Sequence, residues 1–132
     1  MGNSKILIID DDADITYALQ TTLESHDYAV VTAGERDEGM SKIKTESPDL
    51  IILDVMMSTW QDGFEMAREL KKDADCKDIP ILMLTAVKDK TGINFKSTAG
   101  DPTWLPVDGF LDKPVDMELL LAEVGKLLSK KA

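Results

Sequence analysis

Histidine and cysteine are almost absent from the sequence, which has one of each among 132 residues. A single thiol, Cys76, cannot form a disulfide within the chain. A single imidazole, His26, excludes histidine-rich metal sites and any catalytic triad that needs a second histidine. Because His26 falls where a helix is predicted to end, we expect it to have a capping or surface role. A metal site made mainly of nitrogen or sulfur ligands is therefore excluded.

Basic residues are outnumbered by acidic ones. Fifteen Lys and Arg stand against 25 Asp and Glu, which gives a formal net charge of -10. A chain with this balance repels the phosphates of DNA and RNA, so direct nucleic acid binding is not expected.

Long hydrophobic runs are also missing. The longest, such as Leu50–Leu53 and Ile79–Leu84, are far shorter than the roughly 20 residues that cross a bilayer. The N-terminus has no secretory pattern. We therefore expect a cytoplasmic protein that has no membrane partner.

What the sequence does contain is an alternation of short apolar runs with helical patterns, over a length that suits one domain, 1–132. Strands that are apolar throughout are buried on both faces, and their alternation with helices is typical of a parallel sheet. The pattern predicts an α/β fold, with a doubly wound five-stranded parallel sheet in a flavodoxin-like three-layer sandwich. The predicted strands are Lys5–Asp10, Tyr28–Ala33, Leu50–Asp54, Ile79–Thr85 and Gly109–Asp112.

Helices are predicted over 14–25, over 36–45, from 63 onwards, and after Asp116, which is placed to cap the last helix. Between Thr85 and Asp108, glycines and prolines interrupt any long helix. We expect an irregular fourth helix region there, with a short helix at most near Gly92–Ser97 and then a loop. The last helix has the clearest apolar spacing, formed by Met117, Leu120, Leu121, Val124, Leu127 and Leu128.

Polar residues collect at the ends of the predicted strands. Asp10 and Asp11 close the first strand and Asp54 the third, Thr85 ends the fourth, and Lys113 follows the fifth. Ligands of open parallel sheets bind beyond these carboxyl ends. Like charges about 4 Å apart repel by about 4 kcal/mol at an effective dielectric near 20, so such a cluster requires a cation. Hard oxygen ligands favour Mg²⁺ over Zn²⁺.

Mg²⁺ usually completes its coordination with a substrate phosphate, which indicates phosphoryl chemistry. Asp54 can then attack phosphorus and form an aspartyl phosphate, while Lys113 and the metal neutralise charge on the phosphoryl oxygens. Some of these polar residues also have a purely structural interpretation. Asp12 or Asp14 can cap the following helix, Thr85 is ordinary in a strand, and Lys113 can be a surface residue.

Four segments, in this order, resemble the receiver domain of two-component response regulators. They are 6–15 (ILIIDDDADI), 49–57 (DLIILDVMM), 81–86 (ILMLTA) and Lys113-Pro114. The likeness covers essentially the whole chain. It departs from the family pattern at Ser58, where the family usually has proline, and in a longer stretch between the third and fourth segments.

The resemblance implies a role for each matching residue. Asp54 would accept a phosphoryl group from a histidine kinase or a phosphotransfer protein. Asp11, Asp54 and the Met56 carbonyl would bind Mg²⁺, and Asp10 would contact the ion through water. The chain would then be a regulatory phosphoacceptor with a downstream protein target, and not an enzyme. Phosphoryl binding and switching are implied for Thr85, Ala86, Lys113 and Phe110.

Three alternatives stay open. A haloacid dehalogenase-like phosphohydrolase also uses an aspartate nucleophile, but it needs a second aspartate two residues later, where this chain has Met56. A nucleotide hydrolase needs a glycine-rich Lys-Ser/Thr loop, which the sequence lacks. A degenerate receiver that acts only as a protein-binding module would lack matching site residues, and here all are present. The chain is either a stand-alone regulator or a piece of a longer one.

Overall fold

Apolar residues form five parallel strands of one sheet. The computed structural model describes residues 4–54, 66, 68–73, 78–85, 109–112 and 115–131. The strand order β2-β1-β3-β4-β5 is that of a doubly wound, flavodoxin-like sheet, which confirms the predicted fold. The strands are β1 (Lys5–Ile9), β2 (Ala29–Ala33), β3 (Leu50–Asp54), β4 (Ile81–Thr85) and β5 (Gly109–Asp112).

Helices pack on both sides of this sheet. They are α1 (Ala13–Glu24), α2 (Arg36–Glu46) and the C-terminal helix (Met117–Lys131). Residues 66 and 68–72 are also helical and are called the middle helical segment below. None of the described helices is long and apolar enough to cross a membrane. The predicted short helix at 92–97 and the loop around it lie outside the described residues.

Alternate residues of the strands pack on opposite faces. In β1, Ile6 and Ile8 belong to the core shared with α1 and the C-terminal helix. Leu7 and Ile9 belong to the core shared with α2 and the middle helical segment. All four side chains are fully buried. Since each face of the sheet is covered by helices, the molecule has the three layers that the sequence predicts.

A close approach brings α2 against β1. A Cβ atom added to Gly39 of α2 would lie 2.7 Å from Ile9 Cδ1 and 3.1 Å from Met66 Cε. The 2.7 Å separation is shorter than real Cβ contacts and the 3.1 Å separation is tight, so a larger residue requires these side chains to shift. Glycine therefore sets how closely α2 approaches the sheet.

The fourth strand begins later than the sequence suggests. The prediction places its start at Ile79, whereas the ladder with β3 begins at the pair Ile51 and Ile81. The physical reason is Pro80, which has no N–H to donate. Its carbonyl still accepts a hydrogen bond from the Ile51 N–H at 3.0 Å. The chain is thus held beside β3 before the regular ladder begins.

Aspartates cap two of the helices. Asp12 Oδ1 accepts hydrogen bonds from the N–H groups of Asp14 and Ile15, at 2.9 and 3.3 Å. Asp116 Oδ1 does the same for two N–H groups of the C-terminal helix, at 2.9 and 3.3 Å. At the other end of α1, His26 Nδ1 lies 3.1 Å from the Thr22 carbonyl. The capping roles predicted for Asp12 and Asp116 are confirmed, and so is the capping or surface role predicted for His26, which is exposed.

Candidate functional site

The register of the sheet brings the ends of its inner strands together. Ile9 of β1 pairs with Leu53 of β3, so the next residues, Asp10 and Asp54, come side by side. On the other side of β3, Asp54 pairs with Leu84 of β4. Neighbouring strands lie about 4.8 Å apart. The backbone therefore places Asp10 and Asp54 on adjacent strands at one level of the carboxyl edge.

Asp10 is a buried carboxylate. Its side chain is only 3% exposed, and it is the one buried charged residue among those described. Its N–H donates to the Ala33 carbonyl at 3.0 Å, which ties the end of β1 to the end of β2. Its Oδ1 accepts the Asp12 N–H at 2.9 Å. Because burial of a charge is unfavourable unless it is compensated, a carboxylate held here favours a cation at the same edge.

The three consecutive aspartates have three different environments. Asp10 is buried, Asp11 is exposed, and Asp12 is exposed but occupied in capping α1. Asp11 therefore stands next to the buried carboxylate without a role in the helix cap. The prediction that Asp12 caps the helix, and that Asp10 and Asp11 need another explanation, agrees with this division.

A cavity of about 270 Å³ opens beside the aspartates, between α1 and the end of β2. One of its wall residues, Tyr17, is 72% exposed. The sequence analysis missed this cavity, although the spacing 13, 16, 17 and 20 marks one face of α1. The lining residues are Asp10, Asp11, Ala13, Thr16, Tyr17, Gln20, Thr32, Ala33 and Gly34.

The oxygen atoms at this edge fit a hard divalent cation. Asp10 and Asp11 contribute two carboxylates, and the backbone of β3 brings a third aspartate, Asp54, to the same level. Carboxylate oxygens are the ligands that Mg²⁺ prefers. Within the part of the chain that the structure describes, no three His, Cys, Asp or Glu side chains are grouped as a metal site. The Asp54 side chain is not among those described.

The structure locates the predicted site residues to different degrees. Asp10 and Asp11 are described in full, whereas Asp54, Thr85 and Phe110 are located by their backbone positions on β3, β4 and β5. Thr85 pairs with Asp112 at the carboxyl edge, and Phe110 pairs with Met83, two residues deeper in the sheet. The remaining predicted residues, Met56, Ala86 and Lys113, lie outside the described residues.

Comparison with known proteins identifies the family. The family described as the response regulator receiver domain matches residues 6–125. The chain belongs to this family. As a receiver domain, it is a phosphorylation-controlled switch of two-component signalling. The resemblance seen in the four sequence segments is thereby confirmed.

Curated relatives of this receiver domain include both short and long proteins. The protein PilH of Pseudomonas aeruginosa is 32% identical over 129 residues, which are 96% of this chain and 98% of PilH. The alkaline phosphatase synthesis transcriptional regulatory protein PhoP of Bacillus subtilis is 38% identical over 128 residues, which are 97% of this chain but 50% of PhoP. The chain thus spans about half the length of several curated relatives that it matches.

Solved receiver structures share the fold along almost the whole chain. Chemotaxis protein CheY4 of Vibrio cholerae superposes with a TM-score of 0.75 and 29% identity, over 96% of this chain and 99% of CheY4. A CheY-like receiver domain protein of Methanospirillum hungatei gives a TM-score of 0.78 and 25% identity, over 98% and 97% of the two chains. The architecture of the sheet and its helical layers is therefore that of known receivers.

Proposed function

We propose that Asp54 is the phosphoacceptor of this receiver domain and that its phosphorylation requires Mg²⁺. The observation that carries the proposal is the register of β1 with β3, which brings Asp54 beside the buried Asp10. A second carboxylate, Asp11, follows directly and is exposed. Adjacent carboxylates at the carboxyl edge of a parallel sheet form a favourable position for a divalent cation and a phosphoryl group.

The metal ligands in this proposal are Asp11, Asp54 and the Met56 carbonyl, with Asp10 acting through a water molecule. When bound, Mg²⁺ neutralises negative charge on the phosphoryl oxygens. Asp10 orients the cluster, since its backbone N–H donates to the Ala33 carbonyl and its Oδ1 accepts the Asp12 N–H.

The phosphoryl transfer is a substitution at phosphorus. An Asp54 carboxylate oxygen forms the new P–O bond while the P–N bond to the imidazole of a donor phosphohistidine breaks. Lys113, Thr85 and the Ala86 segment bind the phosphoryl oxygens in this proposal. The modification adds about 1.5 to 2 negative charges, and Phe110 changes its packing in response.

The partners follow from this chemistry. The single histidine of the chain, His26, is exposed and engaged at the end of α1, so it is not a phosphodonor to Asp54. The donor is a histidine kinase or a phosphotransfer protein, in the cytoplasm, and the output is a protein target. The chain acts as a regulatory phosphoacceptor, and not as an enzyme on a separate substrate.

Phosphorylation by a small phosphodonor tests the proposal. The full chain is incubated with acetyl phosphate, with and without Mg²⁺, and the covalent phosphate is followed by intact mass. We expect acid-labile phosphorylation that needs Mg²⁺ and is abolished in Asp54→Asn. Asp27→Asn, which changes an exposed aspartate at the far end of α1, is the matched control and should be phosphorylated like the wild type.

Two results would contradict the proposal. Phosphorylation of Asp54→Asn at the wild-type level would place the phosphoacceptor elsewhere. Continuous turnover of added phosphate esters would instead favour a phosphohydrolase of the haloacid dehalogenase type.

A further inference from the structure

The end of β2 supports the buried aspartate of the site. The Ala33 carbonyl accepts the Asp10 N–H at 3.0 Å. The residues on either side of Ala33, namely Thr32 and Gly34, line the cavity together with Asp10 and Asp11. The position of this short β2 segment therefore determines where the Asp10 backbone is held.

Two side chains of α2 hold the same β2 segment. Glu38 Oε1 accepts the Gly34 N–H at 2.8 Å, and the Lys42 ammonium donates to the Thr32 carbonyl. The two side chains also pair with each other, since Lys42 Nζ lies 3.2 Å from Glu38 Oε2. Together they fix the backbone before and after Ala33. We call this pair the α2 brace.

The charge state of the α2 brace suits its contacts. The Gly34 N–H, followed by the Lys42 ammonium, lowers the pKa of Glu38 below its ordinary value near 4.5. Glu38 is thus ionised at neutral pH, where it accepts both hydrogen bonds. Lys42 is about one-third exposed, and its ammonium donates to the Thr32 carbonyl while it pairs with Glu38.

We propose that Glu38 and Lys42 are positioning residues for Asp10, and that they strengthen Mg²⁺ binding at the carboxyl edge. The inference rests on the proposed function, because it assigns the metal to that edge. Metal ligands need to be held within about 0.5 Å of their working geometry by the groups around them. The α2 brace acts through the β2 backbone, which in turn holds the Asp10 N–H.

A second ion pair of the same helix provides a matched comparison. Lys5 Nζ donates to the Glu46 carbonyl and to Glu46 Oε1, both at 3.1 Å. The Lys5 and Glu46 side chains are 35% and 40% exposed. The corresponding values for Lys42 and Glu38 are 33% and 45%. The pair of Lys5 and Glu46 also joins α2 to the sheet, but at the first residue of β1, the opposite end from Asp10. It should contribute to stability without affecting the site.

The test compares Lys42→Met with Lys5→Met in the full chain. Mg²⁺ alone is titrated into each protein by calorimetry, and unfolding in urea is measured in parallel. We expect Lys42→Met to weaken Mg²⁺ affinity by about threefold or more, which is less than the 10- to 100-fold typical of groups that contact a ligand directly. Lys5→Met should retain wild-type affinity, and Lys42→Arg should restore most of the loss.

A second readout does not depend on the metal. Hydrogen exchange of the Asp10 amide, measured without Mg²⁺, should be faster in Lys42→Met than in Lys5→Met. Should Lys42→Met fail to fold, Glu38→Gln removes the ion pair more gently and is measured in the same way.

The outcomes separate this inference from the proposed function. Equal Mg²⁺ affinity and equal Asp10 exchange in the two methionine variants would overturn the positioning role, while the function of Asp54 would still stand. A wild-type chain that binds no Mg²⁺ would overturn the proposed function and the positioning role with it.

Discussion

The C-terminal helix and α2 cover opposite faces of the same sheet, yet they are held in different ways. The C-terminal helix buries Leu120, Val124 and Leu127 in an apolar stripe. In α2, the buried positions are Gly39 and Ile43, and most of the remaining residues are charged or polar. The C-terminal helix is held by apolar area, whereas α2 is held by the close approach at Gly39 and by ion pairs at its two ends, Arg36 with Glu69 and Glu46 with Lys5.

The glycines of the two helices show the same difference. A Cβ on Gly125 of the C-terminal helix would meet nothing within 4 Å, whereas one on Gly39 would meet Ile9 at 2.7 Å. Gly39 is therefore needed for close packing, whereas Gly125 is not, although both lie in helices. Where a helix lacks an apolar stripe, its distance from the sheet is determined by the smallest side chain at the contact.

The largest expected effect concerns the apolar stripe. Replacement Leu120→Ala removes a fully buried side chain and should lower the free energy of unfolding by about 2 to 5 kcal/mol. The neighbouring Leu119, which is 55% exposed, offers a control with the same chemistry. Urea unfolding of Leu120→Ala and Leu119→Ala would measure both effects. Similar losses would show that the stripe does not hold this helix.

The glycine pair should give effects of opposite sign. Gly39→Ala should lower the free energy of unfolding by about 1 to 3 kcal/mol, because the added methyl group overpacks the contact with Ile9. Gly125→Ala should raise it by about 0.5 to 1 kcal/mol, since alanine is the better helix former and the site is open. Thermal and urea unfolding measure both changes. Stabilisation by both substitutions would remove the distinction drawn between the two helices.

The smallest expected effect is the pH dependence of α2. Because the pKa of Glu38 is lowered in the folded chain, its ionised form stabilises the fold above the ordinary pKa, and this contribution is lost as the pH falls through the lowered value. The stability difference between the wild type and Glu38→Gln should therefore be present at about pH 7 and shrink as the pH falls below the ordinary pKa of the carboxyl group. Urea midpoints at several pH values measure it. A difference that grows in acid would contradict the assignment.

The same contrast explains which parts of the fold were predictable. Periodic apolar residues predicted the C-terminal helix, and short apolar runs predicted the strands, of which the fifth, Gly109–Asp112, had the weaker pattern, because burial on a regular element repeats along the sequence. The close packing of Gly39 against Ile9 was not predicted, since it depends on the distance between two layers. Pro80 does indicate the late start of β4 in the sequence, because a proline has no N–H to donate to the ladder.

The candidate site divides along a similar line. Strand ends predicted that Asp10 and Asp54 would meet, because register in a parallel sheet follows from neighbouring apolar runs. The sequence did not predict that Asp10 is buried while Asp11 is exposed, since nothing in a run of three aspartates distinguishes one from the next. Roles that depend on side-chain geometry at Asp54, Thr85 and Lys113 stay predictions. The cavity beside Tyr17 was missed because it needs two elements, α1 and β2, to form its walls.

The junction between β1 and α1 gives each of its three aspartates a different environment through position alone. One extra residue inserted after Ile9 would move Asp11 into the place of Asp12, where it could still cap α1. The inserted residue would then take the inward place of Asp10, and each residue of α1 would shift by one position, which turns the buried Leu19 and Leu23 away from the core. A length change at this junction therefore affects both the packing of α1 and the inner charge of the carboxyl edge, so the three aspartates can share out their roles only at the length that the chain has.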